Sequence, residues 1–211
     1  MRNWPLFDLS ITTPLLELRL PSLDDLDELA DRAAEGVHET GFMPFFFPWT
    51  DAEPAERARS TLQYHFRAWS SLTPEKWSID FVVVYEGQIV GTQGITATSF
   101  AVTREVGTGS WLGQRFQGKG IGTEMRRAVL HLAFAGLEAR HATTEAFEDN
   151  NASLAVTRKL GYREDGITVH DRQGKPAVTR RFRLAREDWQ EPPGFAIHNL
   201  PACLPLLGLP G

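Results

Sequence analysis

The sequence contains a single cysteine, Cys203, so an internal disulfide is excluded and a reducing compartment is expected. It has no basic run and a formal net charge of −5, which argues against nucleic acid as a partner. Residues 195–211 are apolar but too short and too rich in proline to span a bilayer. The N-terminus, with Asp8 and no continuous apolar region, is unlike a signal peptide. These absences predict a cytoplasmic protein that binds neither nucleic acid nor membrane.

Two common phosphate-binding motifs are also absent. A P-loop requires Ser or Thr after its Gly-Lys pair, but Gly120 follows Lys119. A dinucleotide-binding motif requires a third glycine where Leu112 stands. Residues 117–122 read Gln-Gly-Lys-Gly-Ile-Gly between a strand-like run and an amphipathic helix. Because glycines at a helix N-terminus leave backbone N–H groups accessible, this segment suits a phosphate or pyrophosphate.

Three motifs occur in a fixed order along the chain. Residues 117–122 fit Gln/Arg-x-x-Gly-x-Gly/Ala, the run Trp111-Leu112-Gly113 precedes them, and residues 150–162 read Asn-Asn-Ala-Ser-Leu-Ala-Val-Thr-Arg-Lys-Leu-Gly-Tyr. The interval between the loop and Asn150 accommodates one helix, a loop and one strand. These motifs resemble the GNAT superfamily of acyl-CoA-dependent N-acyltransferases, in its RimJ/RimL-type branch. The resemblance implies acetyl-CoA or coenzyme A as the acyl carrier, and no metal.

The resemblance implies a single α/β domain over residues 1–190, with a mixed, mostly antiparallel central sheet of about seven strands, flanked by helices and splayed at its centre. The composition, 42% hydrophobic and 23% charged, agrees with one domain. Periodicity predicts helices over 22–34, 54–71, 150–160 and from 120 onward. It predicts strands over 15–20, 81–85, 89–97, 106–112, 142–147, 166–171 and 177–185. Residues 191–211 form an apolar tail expected to dock on the domain or at a subunit contact of a homodimer.

The resemblance assigns coenzyme binding to the central strand, the glycine loop and the second motif. Backbone groups of Trp111, Leu112 and Gly113 would hold the acyl carbonyl and the pantetheine arm, although Trp111 also suits a core aromatic. The other predicted contacts are Gln117, Gly118, Lys119, Gly120, Ile121, Gly122, Thr123, Asn150, Ser153, Arg158 and Lys159. Arg115 and Arg126 are further candidates for contact with the coenzyme A phosphates. Arg158 or Lys159 would meet the 3′-phosphate, and Gln117 also suits a solvated turn.

Proton donation to the departing thiolate has no obvious residue. Many members of the superfamily carry a tyrosine four residues before the helix-ending glycine, where this chain has Thr157. Asn150 and Ser153 remain as catalytic candidates that orient the thioester and support the sulfur. Both residues also suit plain helix capping.

The resemblance places the general base on the central strand. Related enzymes often carry a glutamate at the position of Gly107, which is a departure in this chain. Glu105 shares the same strand face, because side chains repeat every two residues, and it is the candidate base. It also suits an exposed carboxylate at a strand end. His38, Glu39 and Glu145 are further candidates.

Residues 36–50 form an aromatic loop whose prolines stiffen it, with candidate acceptor contacts at His38, Phe42, Phe45, Phe47 and Trp49. The loop suits a substrate wall, a core plug, or both. The expected acceptor is the amine of a small molecule, a peptide or a protein N-terminus. Neutralising an α-amine near pH 7 costs roughly 1.4 kcal/mol, against about 4.6 for a lysine. Succinyl-CoA is an alternative donor, and a coenzyme-binding module with weak or lost catalysis is the alternative function.

Overall fold

The computed structural model describes all 211 residues. Nine strands, β1 to β9, span Ser10–Thr12, Leu16–Arg19, Lys76–Tyr85, Gln88–Thr98, Glu105–Leu112, His141–Phe147, Arg163–Arg172, Lys175–Ala185 and Ala196–His198. Five α-helices, α1 to α5, span Leu23–Glu35, Pro54–Ser70, Phe100–Thr103, Ile121–His131 and Asn151–Lys159. The strands form one sheet in the order β7-β8-β6-β5-β4-β3-β2-β1-β9. Only β5 and β6 are parallel neighbours, so the predicted mixed, mostly antiparallel α/β sheet is confirmed.

The sheet has nine strands, whereas the sequence predicts about seven. The two additional strands, β1 and β9, contain three residues each and pair with one another at one edge, with Ile11 opposite Ile197. Three residues are too few to show a period of two, and β9 lies in the proline-rich tail. These two strands are therefore defined by pairing between residues near opposite ends of the chain, and no local sequence pattern predicts them.

Helices cover both faces of the sheet. On β3, Val82 packs with Leu26 and Leu29 of α1, whereas Phe81 and Val83 belong to the larger core that includes α4. Because successive side chains of a strand point to opposite faces, α1 and α4 lie on opposite sides of the sheet. The faces are called the α1 face and the α4 face below.

Two helices begin as the sequence predicts. Ser22 caps α1 in a capping box, in which Ser22 Oγ accepts from Asp25 N at 3.1 Å and Asp25 Oδ2 accepts from Ser22 N at 3.0 Å. Asn150 caps α5 through its side-chain oxygen. Helix α4 continues into a π-helical turn over Leu132–Gly136, which leaves Ala135 exposed although the helical period predicts it on the buried face.

The segment after β8 packs against the sheet and its neighbours. Cys203 and Leu207 are fully buried, and the Trp77 indole N–H donates to Leu207 O at 3.2 Å. Asn199 Nδ2 donates to Asp8 O at 2.8 Å, which ties the segment to the N-terminal residues. No helix of the protein has the length and apolar character needed to cross a membrane.

Candidate active site

The segment between β5 and α4 presents backbone N–H groups that have no acceptor in the protein. Gly118 and Gly120 have φ values of +74° and +84°, a left-handed region that favours glycine. The N–H groups of residues 118–122 donate to no protein atom, whereas Thr123 and Glu124 both donate to Gly120 O at 3.1 Å. These open donors lie at the N-terminus of α4, where the helix dipole adds partial positive charge. The segment can therefore bind a phosphate or pyrophosphate.

Gln117 holds this loop in place through its side chain. Its Nε2 donates to Val37 O at 2.8 Å and to Leu112 O at 3.0 Å. Its backbone N–H donates to Gln114 O at 3.2 Å. The donor groups of this predicted coenzyme contact are therefore occupied within the protein. Gln117 links the loop to the central strand and to the start of the aromatic loop.

Strands β5 and β6 diverge at the centre of the sheet. They pair only from Glu105, opposite His141, to Gly107, opposite Thr143. Beyond Gly107, β5 has no strand partner on its β6 side. The Thr108 hydroxyl donates to Thr143 O at 3.3 Å and closes the vertex of the opening. The predicted splayed centre is confirmed, and its unpaired strand edge can pair with an extended ligand.

The three predicted backbone contacts lie at the wide end of this opening. Trp111 and Leu112 pair with β4 on one side and face the opening on the other. The Gly113 N–H donates to Val90 O at 2.9 Å, so this group is not free for a ligand. The Trp111 ring packs on the α1 face against Trp49, with 5.6 Å between ring centroids.

The start of α5 brings Asn150 and Ser153 together. Asn150 Oδ1 accepts from Ser153 N at 3.1 Å, so the cap is formed. The Ser153 hydroxyl is partly exposed and has no hydrogen-bond partner in the protein. Thr157 is buried, and its hydroxyl donates to Ser153 O at 2.8 Å. Thr157 is thus turned into its own helix and does not replace the tyrosine common in the resembling family.

The cationic residues near the loop differ in their surroundings. Lys119 Nζ lies 5.5 Å from the centroid of the Phe116 ring, beside the open N–H groups. Arg158 and Lys159 are exposed at the end of α5 and make no ion pair. Arg126, which the sequence places among the candidates for phosphate contact, is buried against the sheet, because it lies on the inner side of α4. This expectation for Arg126 is wrong.

The aromatic loop brings four of its five predicted acceptor contacts together. His38 packs near Phe42 and Phe45, and Phe45 lies 5.2 Å from Trp49, which reaches Trp111. The His38 Nε2 lies 2.7 Å from Thr50 Oγ1, so this ring is held inside the loop. Phe47 is 75% exposed and stays outside the cluster.

A second cluster on the α1 face contains a residue that the sequence reasoning did not find. His170 Nε2 lies 3.2 Å from Glu145 Oε1, and the Thr179 hydroxyl donates to the same oxygen. Phe46 packs on the His170 ring, with centroids 4.8 Å apart. Partial burial would raise the pKa of the Glu145 carboxyl, but the hydrogen bonds from Thr179 and His170 outweigh it and lower the pKa. Glu145 is therefore ionised at neutral pH and orients the imidazole.

Glu105, the predicted base, is paired with a cation. Its carboxylate binds Arg183 of β8, whose guanidinium also donates to Asp165. Glu105 lines a cavity of about 610 Å³ on the same side of the sheet as Gly107 and Thr143. It therefore borders the vertex, but its carboxylate is already bound by Arg183.

The edge of the aromatic loop is fastened to the β7–β8 hairpin. Arg172 Nη1 donates to Met43 O at 3.4 Å, and Arg172 binds Asp149 through both of its Nη atoms. Gln173 Nε2 donates to Asp51 Oδ2 at 2.6 Å. The loop thus spans from Gln117 at the phosphate side to the hairpin beyond Glu145.

Two features carry chemistry: an opening in the sheet with free donors at its mouth, and a carboxylate–imidazole pair beside it. No three or more His, Cys, Asp and Glu side chains are grouped so that they could hold a metal ion. Such a site is equipped to hold a phosphorylated extended ligand and to move a proton.

Comparison with known proteins agrees with this arrangement. The family model described as Acetyltransferase (GNAT) domain matches residues 16–163. YdaF of Bacillus subtilis (strain 168), whose name proposes a ribosomal N-acetyltransferase, is 26% identical over 151 residues, covering 72% of this chain and 79% of YdaF.

Two solved structures share the fold. RimL, a ribosomal L7/L12 alpha-N-protein acetyltransferase in complex with coenzyme A, superposes with a TM-score of 0.65 at 16% identity, over 83% of this chain and 97% of that one. RimJ of Mycobacterium smegmatis, in complex with CoA-disulfide, gives 0.66 at 17% identity, over 87% and 90%. The family match confirms the predicted N-acetyltransferase class and coenzyme A as the acyl carrier. With most of its sheet and all three motifs inside the matched region, the chain belongs to the GNAT family of acetyltransferases.

Proposed function

We propose that this acetyltransferase moves an acetyl group from acetyl-CoA directly to the α-amine of a peptide or protein N-terminus. The observation that carries the proposal is the opening between β5 and β6, with the free N–H groups of residues 118–122 at its mouth. The only cysteine is buried outside this opening, which supports direct transfer without an acyl-enzyme.

The donor would lie along the opening. The pyrophosphate binds the free N–H groups of 118–122, and the pantetheine arm pairs with the edge of β5 near Trp111 and Leu112. Lys119 and either Arg158 or Lys159 supply positive charge to the phosphates. Ser153, whose hydroxyl is unpartnered, supports the departing sulfur.

The acceptor would approach on the α1 face. Gly107 and Gly109 leave the surface of β5 without side chains between Glu105 and Trp111, and a Cβ built at Gly109 meets no atom within 4 Å. On the neighbouring strand β4, the residue opposite Gly109 is covered by the Asp80 carboxylate. The open surface at Gly109 gives an amine a path to a thioester held in the opening.

Proton transfer would use the Glu145–His170 pair. His170 is oriented by the Glu145 carboxylate, whereas the Glu105 carboxylate is bound by Arg183, so we assign proton acceptance to His170. The amine nitrogen attacks the thioester carbonyl and loses its proton as the C–S bond breaks. Backbone N–H groups of β5 stabilise the oxyanion, and the thiolate takes a proton through Ser153 or water.

The acceptor class is supported by two points. The names of YdaF and RimL describe ribosomal-protein acetylation, for RimL at an α-amine. An α-amine is also the easier nucleophile to neutralise at pH 7, by about 3 kcal/mol relative to lysine. We place the reaction in the cytoplasm, where ribosomal proteins are made. Small-molecule amines are the competing acceptors.

The test measures binding and turnover separately. Calorimetry of acetyl-CoA binding would compare wild type with Gly120→Asp, which adds a carboxylate among the free N–H groups. Gly87→Asp is the matched control, because Gly87 also has a positive φ and open space but lies in the β3–β4 hairpin. Release of free thiol is then followed with N-terminal peptides, lysine peptides and small amines.

We expect Gly120→Asp to weaken binding by roughly tenfold or more, as the loss of charge-assisted hydrogen bonds predicts, and Gly87→Asp to bind normally. Equal binding by folded Gly120→Asp would overturn the phosphate placement. Binding without thiol release for any amine would identify a coenzyme-binding module in place of an enzyme.

A further inference from the structure

Arg126 bridges the two strands that diverge. From the inner side of α4, its Nη1 donates to Thr144 Oγ1 of β6 at 3.2 Å, and its Nη2 donates to Ser110 Oγ of β5 at 3.3 Å. Both contacts lie beyond Gly107 and Thr143, the last paired residues. The guanidinium therefore lies across the opening, on the α4 face.

This guanidinium has no anion near it. Arg126 is only 4% exposed, and no carboxylate lies within ion-pair distance of it. Burial lowers the pKa of Arg126, and the Tyr162 hydroxyl is the one ionisable neighbour that acts in the other direction. A buried cation without a counter-ion is strongly unfavourable, so its presence calls for a partner.

Several hydrogen-bond donors at and beside Arg126 have no acceptor in the protein. Arg126 Nε has no hydrogen-bond partner, and the Tyr162 hydroxyl beside it has none either. Burial raises the pKa of Tyr162, which keeps its proton available for donation. A guanidinium carries five N–H donors, and two of them are used here. The groups at this point of the opening offer several donors and would match a ligand with two charged oxygen atoms.

We propose that Arg126 and Tyr162 bind the terminal carboxylate of a dicarboxylic acyl group, so that the enzyme accepts succinyl-CoA-type donors beside acetyl-CoA. The inference rests on the proposed function, which places the thioester in the opening above Ser110. A carboxylate suits the free edge of Arg126 because the planar fork can bind both oxygens at once. An acetyl group carries no second carboxyl group and so cannot supply such an anion.

The transfer balances without any further reactant. The amine nitrogen forms a C–N bond to the thioester carbonyl, and the C–S bond breaks. The amine loses one proton, and the departing thiolate takes one. The products are an N-succinyl amide, with its carboxylate unchanged on Arg126, and free coenzyme A.

The first experiment uses the wild-type enzyme and two donors of equal chain length. Succinyl-CoA and butyryl-CoA both carry four acyl carbons, and only succinyl-CoA carries a charge. We expect kcat/KM for succinyl-CoA to exceed that for butyryl-CoA by roughly 10-fold to 100-fold, in keeping with a hydrogen-bonded charge pair. Equal values, or a preference for butyryl-CoA, would overturn the inference.

The second experiment removes the cation. Arg126→Met keeps an unbranched apolar stem and removes the charge. Arg127→Met is the matched control, because Arg127 is its neighbour on α4 and pairs with Glu124 at 3.9 Å. We expect Arg126→Met to lose the succinyl-over-butyryl preference while acetyl-CoA turnover stays within about threefold of wild type, since no acetyl atom needs the charge. A parallel loss for all three donors would show that Arg126 only braces the strands.

The two proposals fail in different ways. If acetyl-CoA supports thiol release and succinyl-CoA does not, the donor inference is wrong and the proposed acetyl transfer stands. If no donor supports release and none binds, the proposed function is wrong. The wild-type comparison decides the inference even if Arg126→Met does not fold.

Discussion

The imidazole of His170 lies 3.2 Å from the Glu145 carboxylate, although the two residues belong to strands separated by β8. Thr179 of β8 donates to the same carboxylate oxygen and fills the space between them. Glu145 lies on β6, on the same face of the sheet as Gly109 of β5 and on the other side of the opening. The contact with Glu145 fixes the position of His170, the proposed base. The two residues are too far apart in the sequence to form a short motif.

The base can be identified by two matched substitutions. Replacing His170 with Asn should lower kcat by about 10²–10⁴-fold without changing acetyl-CoA binding, as the loss of a general base predicts. Glu145→Gln should lower kcat less, because it removes only the charge that orients the ring. Glu105→Gln should slow turnover least. A larger decrease for Glu105→Gln than for Glu145→Gln, in steady-state kinetics, would assign the base to β5.

A side chain at Gly109 should block the acceptor and spare the donor. Gly109 has open space at its Cβ position and does not need a left-handed backbone, so Gly109→Leu is sterically allowed. We expect a large increase in the acceptor KM, with acetyl-CoA affinity by calorimetry unchanged. Normal acceptor kinetics in this variant would show that the amine does not approach over β5.

At the start of α5, one substitution should reduce stability and a different one should reduce turnover. Asn150→Ala removes a formed helix cap and should lower the free energy of unfolding by about 1 kcal/mol. Ser153→Ala removes a hydroxyl that has no partner in the protein, so stability should not change while turnover slows. Denaturant unfolding and thiol-release assays test the two effects. Reduced stability of Ser153→Ala would argue for a structural hydroxyl.

The single thiol should be inert and should affect stability only at high pH. Burial raises the pKa of the Cys203 thiol to about 11, whereas an unfolded cysteine titrates near ~8.5. The folded state therefore binds this proton more tightly, and its contribution to stability is complete below the unfolded pKa and is lost as the pH rises toward the folded value.

Relative to Cys203→Ala, wild-type stability should thus fall between about pH 9 and pH 11 in thermal unfolding. At pH 8 the native thiol should resist a disulfide reagent, and Cys203→Ala should keep full activity. Rapid labelling of native protein at pH 8 would contradict the buried placement.

Removing residues 195–211 should destabilise the sheet edge. The deletion takes away β9, the partner of β1, and the buried Leu207, which accepts from the Trp77 indole. We expect a lower melting temperature and larger species in size-exclusion chromatography, because an unpaired strand edge promotes association. Leu207→Ala alone should cost about 2–5 kcal/mol. An unchanged melting temperature after deletion would show that this segment contributes little.

The sequence predicts most of the architecture because its signals are local. Ser22 and Asn150 predict the starts of their helices, and glycines mark the loop before α4. Strand alternation predicts the longer strands, whereas three-residue strands carry no detectable period. The order of the three motifs indicates the family.

The chemistry of the site was harder to predict because its contacts are distant in the chain. Glu145 and His170 meet across an intervening strand, so no spacing pattern relates them. Glu105 shares the correct face, but its pairing with Arg183 depends on the register of β6 with β8. Arg126 resembles a surface phosphate ligand in sequence, and only the rotation of α4 shows that it points inward.

The Gln117 carboxamide joins Val37, at the start of the aromatic loop, to Leu112, at the end of β5 before the phosphate loop. We therefore expect phosphate binding at residues 118–122 and the position of the aromatic loop to be linked through these two hydrogen bonds. Any factor by which the bound donor changes affinity for the amine must equal the factor by which the amine changes affinity for the donor, because binding free energies form a closed cycle. Through the Gln117 carboxamide, binding of the donor and binding of the amine would therefore affect each other equally.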